Sequence, residues 1–449
     1  MIPRVACVLL FLVVSSLGFA ATAAKPNVIF ILADDLGYGD VGAFGQKLIK
    51  TPHIDRLAME GTKFTQAYCG ETVCAPSRCT LMTGLHNGHA PIRGNREIKP
   101  EGQEPMPADT FTVAHLMKKA GYTTGLVGKW GLGHPRSEST PTKMGFDYFF
   151  GYNCQLLAHE YYPDHLWRND EVVPLDGKTY SHDLMANEAL EFVRRSKDQS
   201  FFLFLAFTIP HQKLQVPDLA PYENETWPQN LKTIAAMITR MDRDIGRLMA
   251  LLKDLKLDEN TLVLFNSDNG AAWRDSTFNH SGPLRGYKRD MYEGGLRSPS
   301  IARWPGKVKA GATSDQVWAF WDFLPTMAEL TGQKAPAGLD GISVLPAWLG
   351  QKKVEHPPLY WEFHERGFFQ AARIGDWKAV KLSTQLPIEL YDMKTDLGEK
   401  TNVAAQHPDV VKRFDEYLKT ARVDSPLWPI TEMAGGRKGG GGKKKKEVE

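Results

Sequence analysis

The chain has 449 residues, 42% of them hydrophobic and 24% charged, with a formal net charge of +2. This is the composition of a globular protein long enough for one large domain and a smaller companion. The charge is local: GRKGGGGKKKKEVE (436–449) holds six Lys or Arg and two Glu, so the rest of the chain is close to neutral and no nucleic-acid partner is expected.

The N-terminus reads MIPRVACVLLFLVVSSLGFAATAAKP. One basic residue, an apolar run and small residues ending near Ala24 make residues 1–24 a secretory signal peptide by pattern. The run is shorter than the ~20 residues of a spanning helix, and no stable membrane anchor is expected. The chain therefore reads as exported, to a periplasm or the medium, or to a lysosome in a eukaryotic host. Cys69, Cys74, Cys79 and Cys154 remain after cleavage, and their spacing leaves any pairing open.

NVIFILA (27–33) reads as a buried strand. DTFTVAHLMKKAG (109–121) reads as a helix with an Asp cap and a Gly stop, followed by the strand YTTGLV (122–127). The helix LMANEALEFVRRS (184–196) leads to FFLFLAFT (201–208), and the periodic stretch 231–255 leads to NTLVLFN (260–266). Strands alternating with helices predict a mostly parallel sheet covered on both faces over residues 25–339. From about residue 340 the texture changes. Short antiparallel strands within 357–382 and an amphipathic helix over 407–422 predict a smaller α+β domain, 340–430, before a Gly/Lys-rich disordered tail, 431–449.

The residues just past each strand matter most. DDLGYGD (34–40), GKWGLGH (128–134), IPHQ (209–212) and SDNG (267–270) all leave strand ends, where open α/β sheets bind their ligands. Asp34, Asp35, Asp268 and Asn269 offer oxygen donors only, which suits calcium or magnesium rather than zinc. Lys129, Lys288, Arg78 and His211 around such an ion describe a pocket for a small tetrahedral anion.

CAPSRCTLMTG (74–84) adds a cysteine two residues before a proline and four before an arginine. This segment resembles the signature of the formylglycine-dependent sulfatases of the alkaline phosphatase superfamily, with Cys74, Pro76, Ser77, Arg78, Leu81, Thr83 and Gly84 all matching. NVIFILADDLGYGDVG (27–42), GKWGLG (128–133), TIPH (208–211), SDNG (267–270), LRGYKRDMYEGGLRSPSI (284–301) and WDFLPTMAELTG (321–332) follow the same family in order. The resemblance implies an alkaline-phosphatase-like α/β fold with a large, mostly parallel sheet and a C-terminal antiparallel sheet. It also implies a calcium ion, with magnesium the alternative, held by Asp34, Asp35, Asp268, Asn269 and the modified Cys74. In such enzymes a maturation enzyme reads the CxPSR segment and converts the cysteine to formylglycine (3-oxoalanine). One hydroxyl of the hydrated aldehyde attacks sulfur and the other later collapses the sulfated intermediate. By the same resemblance Arg78 holds the modified residue, Lys129 and Lys288 bind sulfate oxygens, and His211 protonates the leaving alcohol.

One departure from the pattern matters. Many members read GKWHLG where this chain has Gly131, and His134 is the candidate replacement for the missing histidine. The aromatic and His-rich stretch 151–170, which resembles a segment of bacterial carbohydrate sulfatases, and YWEFHE (360–365) suit a sugar ring. His159, Tyr161, Glu362 and His364 are therefore candidate substrate contacts, with Arg93 and Asn95 of PIRGN beside them. The reading is a carbohydrate exosulfatase, with galactose and N-acetylgalactosamine sulfates among the substrates implied. A phosphoester or phosphonate hydrolase on the same fold, and a noncatalytic binder of sulfated glycan, are the alternatives.

Overall fold

The structure is a computed structural model that describes residues 25–431; the expected signal peptide, and all but the first residue of the expected tail, lie outside the described residues. Asn27–Ala33, Thr123–Lys129, Phe201–Ala206 and Thr261–Ser267 are buried along nearly their whole length. Parallel strands covered on both faces need that near-continuous apolar run. Asn27–Ala33 pairs in parallel with Thr261–Ser267 on one side and Phe201–Ala206 on the other, and Thr123–Lys129 lies beyond the latter. The four strands expected to present a rim are thus consecutive neighbours at the centre of the sheet.

Among the described residues this sheet has ten strands. Ala312–Ser314, Thr62–Phe64 and Ser300–Arg303 extend one side, and Tyr148–Tyr152, His165–Arg168 and Glu171–Pro174 the other. Antiparallel pairing is confined to Ser300–Arg303 and to the two strands at the far edge. Alternate residues feed opposite cores. Val28, Phe30 and Leu32 meet Phe202, Phe204 and the helices Cys74–Thr83, Val113–Lys119 and Phe323–Thr331. Ile29 and Ile31 meet Leu203, Val263 and the helices Ser181–Arg195 and Gln229–Asp254. The helix expected from Asp109 begins only at Val113, because Thr112 is its cap: Thr112 Oγ1 accepts the His115 N–H at 3.3 Å.

A separate four-stranded antiparallel sheet, Leu359–Phe363, Phe369–Ile374, Trp377–Lys381 and Glu389–Asp392, follows in the C-terminal region. One face packs Trp361 and Val380 against Tyr68 and Trp321 of the main body. The other takes the helix Pro408–Thr420 through Phe414 and Leu418. Lys378 of this sheet lies 2.9 Å from Glu293 and 2.8 Å from Glu399, all three fully buried, and so braces the segment that carries Lys288. No helix among the described residues is long and apolar enough to cross a membrane.

Candidate active site

Register builds the site. Ala33 is the ladder partner of Ser267, so Asp34 and Asp35 leave their strand level with Asp268 and Asn269. The Asp268 N–H donates to Ala33 O at 3.0 Å, and the Asp35 N–H donates to Asp268 Oδ1 at 3.1 Å. Asn269 Nδ2 donates to Asp35 Oδ1 at 2.7 Å. Asp35 itself takes a φ of 66°, a left-handed conformation that Asp tolerates better than most residues.

Cys74 opens the helix Cys74–Thr83, whose preceding residue, Val73, supplies no side-chain cap. Its Sγ lies 3.4 Å from Asp34 Oδ1 and 3.5 Å from Lys288 Nζ. Lys129, the last residue of its strand, places Nζ 2.6 Å from Asp34 Oδ2, while Lys288 Nζ lies 2.7 and 2.8 Å from the two oxygens of Asp35. One helical turn after Cys74, Arg78 donates from Nε and Nη2 to Asp268 Oδ2 at 3.1 and 2.8 Å, and from Nη1 to Lys129 O at 2.8 Å. His211 follows its strand with Nε2 3.2 Å from Asp35 Oδ2 and Nδ1 2.6 Å from Gln212 O. Its ring stacks on His159 with centroids 4.0 Å apart.

The electrostatics follow from this crowding. Burial opposes ionisation of Asp34, yet Lys129, His211, Arg78 and Lys288 together hold its carboxyl well below the usual range. Burial and the neighbouring Asp34 push Asp268 upward instead, against Arg78. Burial drives His211 down to about 4, against the pull of Asp35, and burial raises the Cys74 thiol. Lys288 resists burial because of Asp35, and its pKa is raised. The oxygen donors of Asp34, Asp35, Asp268 and Asn269 fit a hard cation, with the Cys74 thiol and the His211 ring beside them. One ligand atom each from Asp34, Asp35, Cys74 and His211 lies within 4.8 Å of the others, and Asn269 Oδ1 is buried with no hydrogen-bond partner.

The structure brings all nine expected metal and catalytic residues together: Asp34, Asp35, Cys74, Arg78, Lys129, His211, Asp268, Asn269 and Lys288. The expected substrate contacts divide. Asn95 and His159 line a cleft of about 590 Å³ that also contains Asp35, Cys74, His211 and Lys288. The other five lie outside its lining. Tyr161 is fully buried with its hydroxyl donating to Thr208 O and His211 O at 2.7 Å each, so it supports the His211 loop from below. Arg93 and Glu362 form a buried ion pair at 3.0 Å, and His364 Nε2 lies 3.0 Å from the same carboxylate, so these three brace one another. His134 Nδ1 lies 3.0 Å from the adjacent Pro135 O, and the three atoms nearest to where a Cβ on Gly131 would be all belong to Gln155 rather than to this ring. Gln155 Nε2 is the nearest of them, at 2.3 Å.

The cleft wall also includes Gln103, Gln155, Arg274, Arg289, Glu365 and Arg366, none of which the sequence patterns single out. Gln155 stands three residues past the strand Tyr148–Tyr152, so the strand-end rule that found Lys129 also reaches it. Arg289 adjoins Lys288 and is tied to Glu365 at 2.9 Å. Gln103 lies in an irregular loop with no local signal.

A family model described as Sulfatase matches residues 26–333, and one described as N-sulphoglucosamine sulphohydrolase, C-terminal, matches residues 286–424. The chain is similar to the N-acetylgalactosamine-6-sulfatase of Canis lupus familiaris, at 34% identity over 402 residues, covering 83% of this chain and 74% of that one. It is similar to the N-acetylgalactosamine-6-O-sulfatase of Bacteroides thetaiotaomicron at 30% identity over 491 residues, covering 89% and 93%. The solved structure of Ps i-CgsB in complex with k-i-k-neocarrahexaose matches with a TM-score of 0.80 and 31% identity, covering 91% of this chain and 95% of that one.

Proposed function

The chain belongs to the sulfatase family and is a sulfuric ester hydrolase, and from that premise we propose that it removes sulfate from a carbohydrate through a formylglycine made from Cys74. Galactose and N-acetylgalactosamine sulfates are the proposed substrates, since two of the relatives are named for N-acetylgalactosamine 6-sulfate. One observation carries the reading: Cys74 Sγ is bracketed by Asp34 at 3.4 Å and Lys288 at 3.5 Å, at the point where the ends of adjacent parallel strands converge. A surface or purely structural cysteine has no need of two lysines and three carboxylates around it.

Asp34, Asp35, Asp268 and Asn269 would hold the cation, calcium or magnesium. When bound, it supplies positive charge that offsets the sulfate and lowers the pKa of a neighbouring hydroxyl. The protein's own residues do the rest. Lys129 and Lys288 are buried cations paired with Asp34 and Asp35, the two carboxylates that cluster with residue 74, and would bind sulfate oxygens as charge moves onto them. Arg78 fixes Asp268 and the Lys129 carbonyl together, which sets the helix start carrying residue 74 against the strand ends. His211 Nε2 and Lys288 Nζ flank the Asp35 carboxylate. An anionic sulfate bound beside them would raise the low proton affinity that burial gives His211, and the pair would then pass a proton to the departing alcohol oxygen.

The test is intact-mass analysis of the Cys74 peptide from the native host, combined with rates on matched sulfate and phosphate esters. Formylglycine at residue 74 and preference for sulfate are expected. An unmodified thiol would favour a glycan binder, and faster phosphate turnover would favour a phosphoester hydrolase.

A further inference from the structure

Three polar side chains on the cleft wall have atoms without a partner. Gln155 is 4% exposed, its Oε1 is buried and unpaired, and its Nε2 makes only a long contact of 3.5 Å to Gly131 O. Gln103 is fully buried with neither amide atom paired. His159 Nε2 is buried and unpaired as well. All three line the cleft that holds Cys74, Lys288 and His211. An unsatisfied buried polar group costs about 1–3 kcal/mol, and native proteins keep few of them. Unpaired buried atoms also occur elsewhere in the fold, but these three share the lining of the reaction cleft, where the hydroxyls of a ligand can satisfy them.

The backbone is arranged to put them there. Gly131 has a φ of 75°, and a Cβ on it would lie 2.3 Å from Gln155 Nε2, so the glycine is what allows Gln155 to reach the wall. Gln103 is fixed on the other side of the same short loop, its N–H donating to Gly133 O at 3.0 Å. Gly131 N–H in turn donates to Asn153 O at 3.0 Å, which ties the loop to the segment carrying Gln155. The ammonium groups that would face sulfate belong to Lys129 and Lys288. The two glutamine amides are neutral and both donate and accept, which matches a hydroxyl and not an anion.

We propose that Gln103, Gln155 and His159 form a subsite that reads the hydroxyls of the sugar ring bearing the scissile sulfate, with Gln155 as the specificity-determining residue. This rests on the proposed carbohydrate substrate. It separates sugar sulfates from aryl sulfates, which carry no hydroxyls to satisfy the amides.

The experiment compares the wild type with Gln155→Met and Gln103→Met on para-nitrophenyl sulfate, on the preferred sulfated monosaccharide and on its monodeoxy analogues. Methionine keeps length and removes the hydrogen-bonding atoms. The ratio of kcat/KM on the sugar to that on the aryl ester is expected to fall about tenfold or more in each variant. One deoxy analogue is expected to penalise the wild type but not the matching variant, and the melting temperature is expected to hold or rise, since an unpaired buried amide has been removed. An unchanged ratio, or a deoxy penalty that persists in the variants, overturns the subsite while leaving sugar desulfation intact. A wild type that cleaves the aryl ester and none of the sugar sulfates overturns the carbohydrate reading itself, and the subsite with it.

Discussion

Arg78 and Asp268 form a buried, two-pronged pair, with Arg78 Nε and Nη2 at 3.1 and 2.8 Å from one carboxylate oxygen and both side chains at most 1% exposed. Its planar fork is not reproduced by lysine. Arg78→Lys is expected to lower kcat/KM at least about a hundredfold, because the helix start and Asp268 lose their common anchor. Arg78→Ala leaves Asp268 buried beside Asp34 without its cation and is expected to cost about 3–5 kcal/mol of folding stability. Steady-state kinetics and urea unfolding check the two halves separately.

The crowded carboxylates predict that stability depends on a cation. Asp34, Asp35 and Asp268 gather within one buried cluster, and Asn269 Oδ1 has no partner there. Chelation is expected to abolish turnover and lower the melting temperature, and calcium or magnesium to restore both. At a hundredfold excess over its dissociation constant such an ion adds about 2.7 kcal/mol. Thermal melts across a calcium titration give the readout; a melting temperature indifferent to chelator and to both ions contradicts the assignment.

Gly131 stands where the GKWHLG pattern places a histidine, and the structure gives the exchange a physical meaning. Gly131→Ala forces a left-handed φ of 75° on a residue with a Cβ, which costs about 1–2 kcal/mol, and pushes the Gln155 amide aside. Combining it with Gln155→Ala relieves the clash but not the backbone strain. A double-mutant cycle in urea is expected to show favourable coupling, with a residual loss equal to the backbone part.

The centre of the fold was legible in the sequence because parallel strands buried on both faces must be continuously apolar, and Asn27–Ala33 and Thr261–Ser267 are. Their strand-end residues were legible for the same reason, and the family motifs extended that to Cys74, Arg78 and Lys288. Tyr161, Glu362 and His364 look like sugar contacts in sequence, yet each is occupied by the fold: Tyr161 holds two carbonyls, while Glu362 and His364 face each other. A composition of aromatics and histidines does not reveal which face of a loop meets solvent. Gln103 escaped because an amide in a loop carries no signature, and Gln155, though within reach of the strand-end rule, shows its role only when its lack of a partner is seen in three dimensions.

Glu362 predicts an acid limb. Burial opposes its ionisation, but His364, Arg93 and Arg422 hold it down to about 2. A folded-state pKa below the unfolded one stabilises the protein above the unfolded value and loses that contribution as pH falls through the folded one. The window runs from about pH 5 to about pH 2, and the contribution is about 3 kcal/mol. Glu362→Gln is expected to be clearly less stable than wild type at neutral pH and to converge with it on acidification, as followed by urea unfolding at a series of pH values.

His280 predicts the opposite limb. Its ring bridges Asp40 and Asp275, with Nε2 2.6 Å from Asp275 and Nδ1 against Asp40, and the Gly39 N–H donates to His280 O at 2.7 Å. It thereby pins the segment that follows Asp34 and Asp35. Burial lowers its proton affinity, but the two carboxylates win and raise it to about 9. Here the folded pKa exceeds the unfolded value, so the stabilisation is complete below about pH 6.5 and disappears as pH rises through about 9, a loss of about 3 kcal/mol. His280→Gln is expected to be destabilised at neutral pH and to lose the alkaline dependence, so the two unfolding curves approach each other above about pH 9. A stability gap between wild type and variant that stays constant from neutral to alkaline pH would show that His280 is held neutral, and that the Asp40–His280–Asp275 bridge does not carry charge.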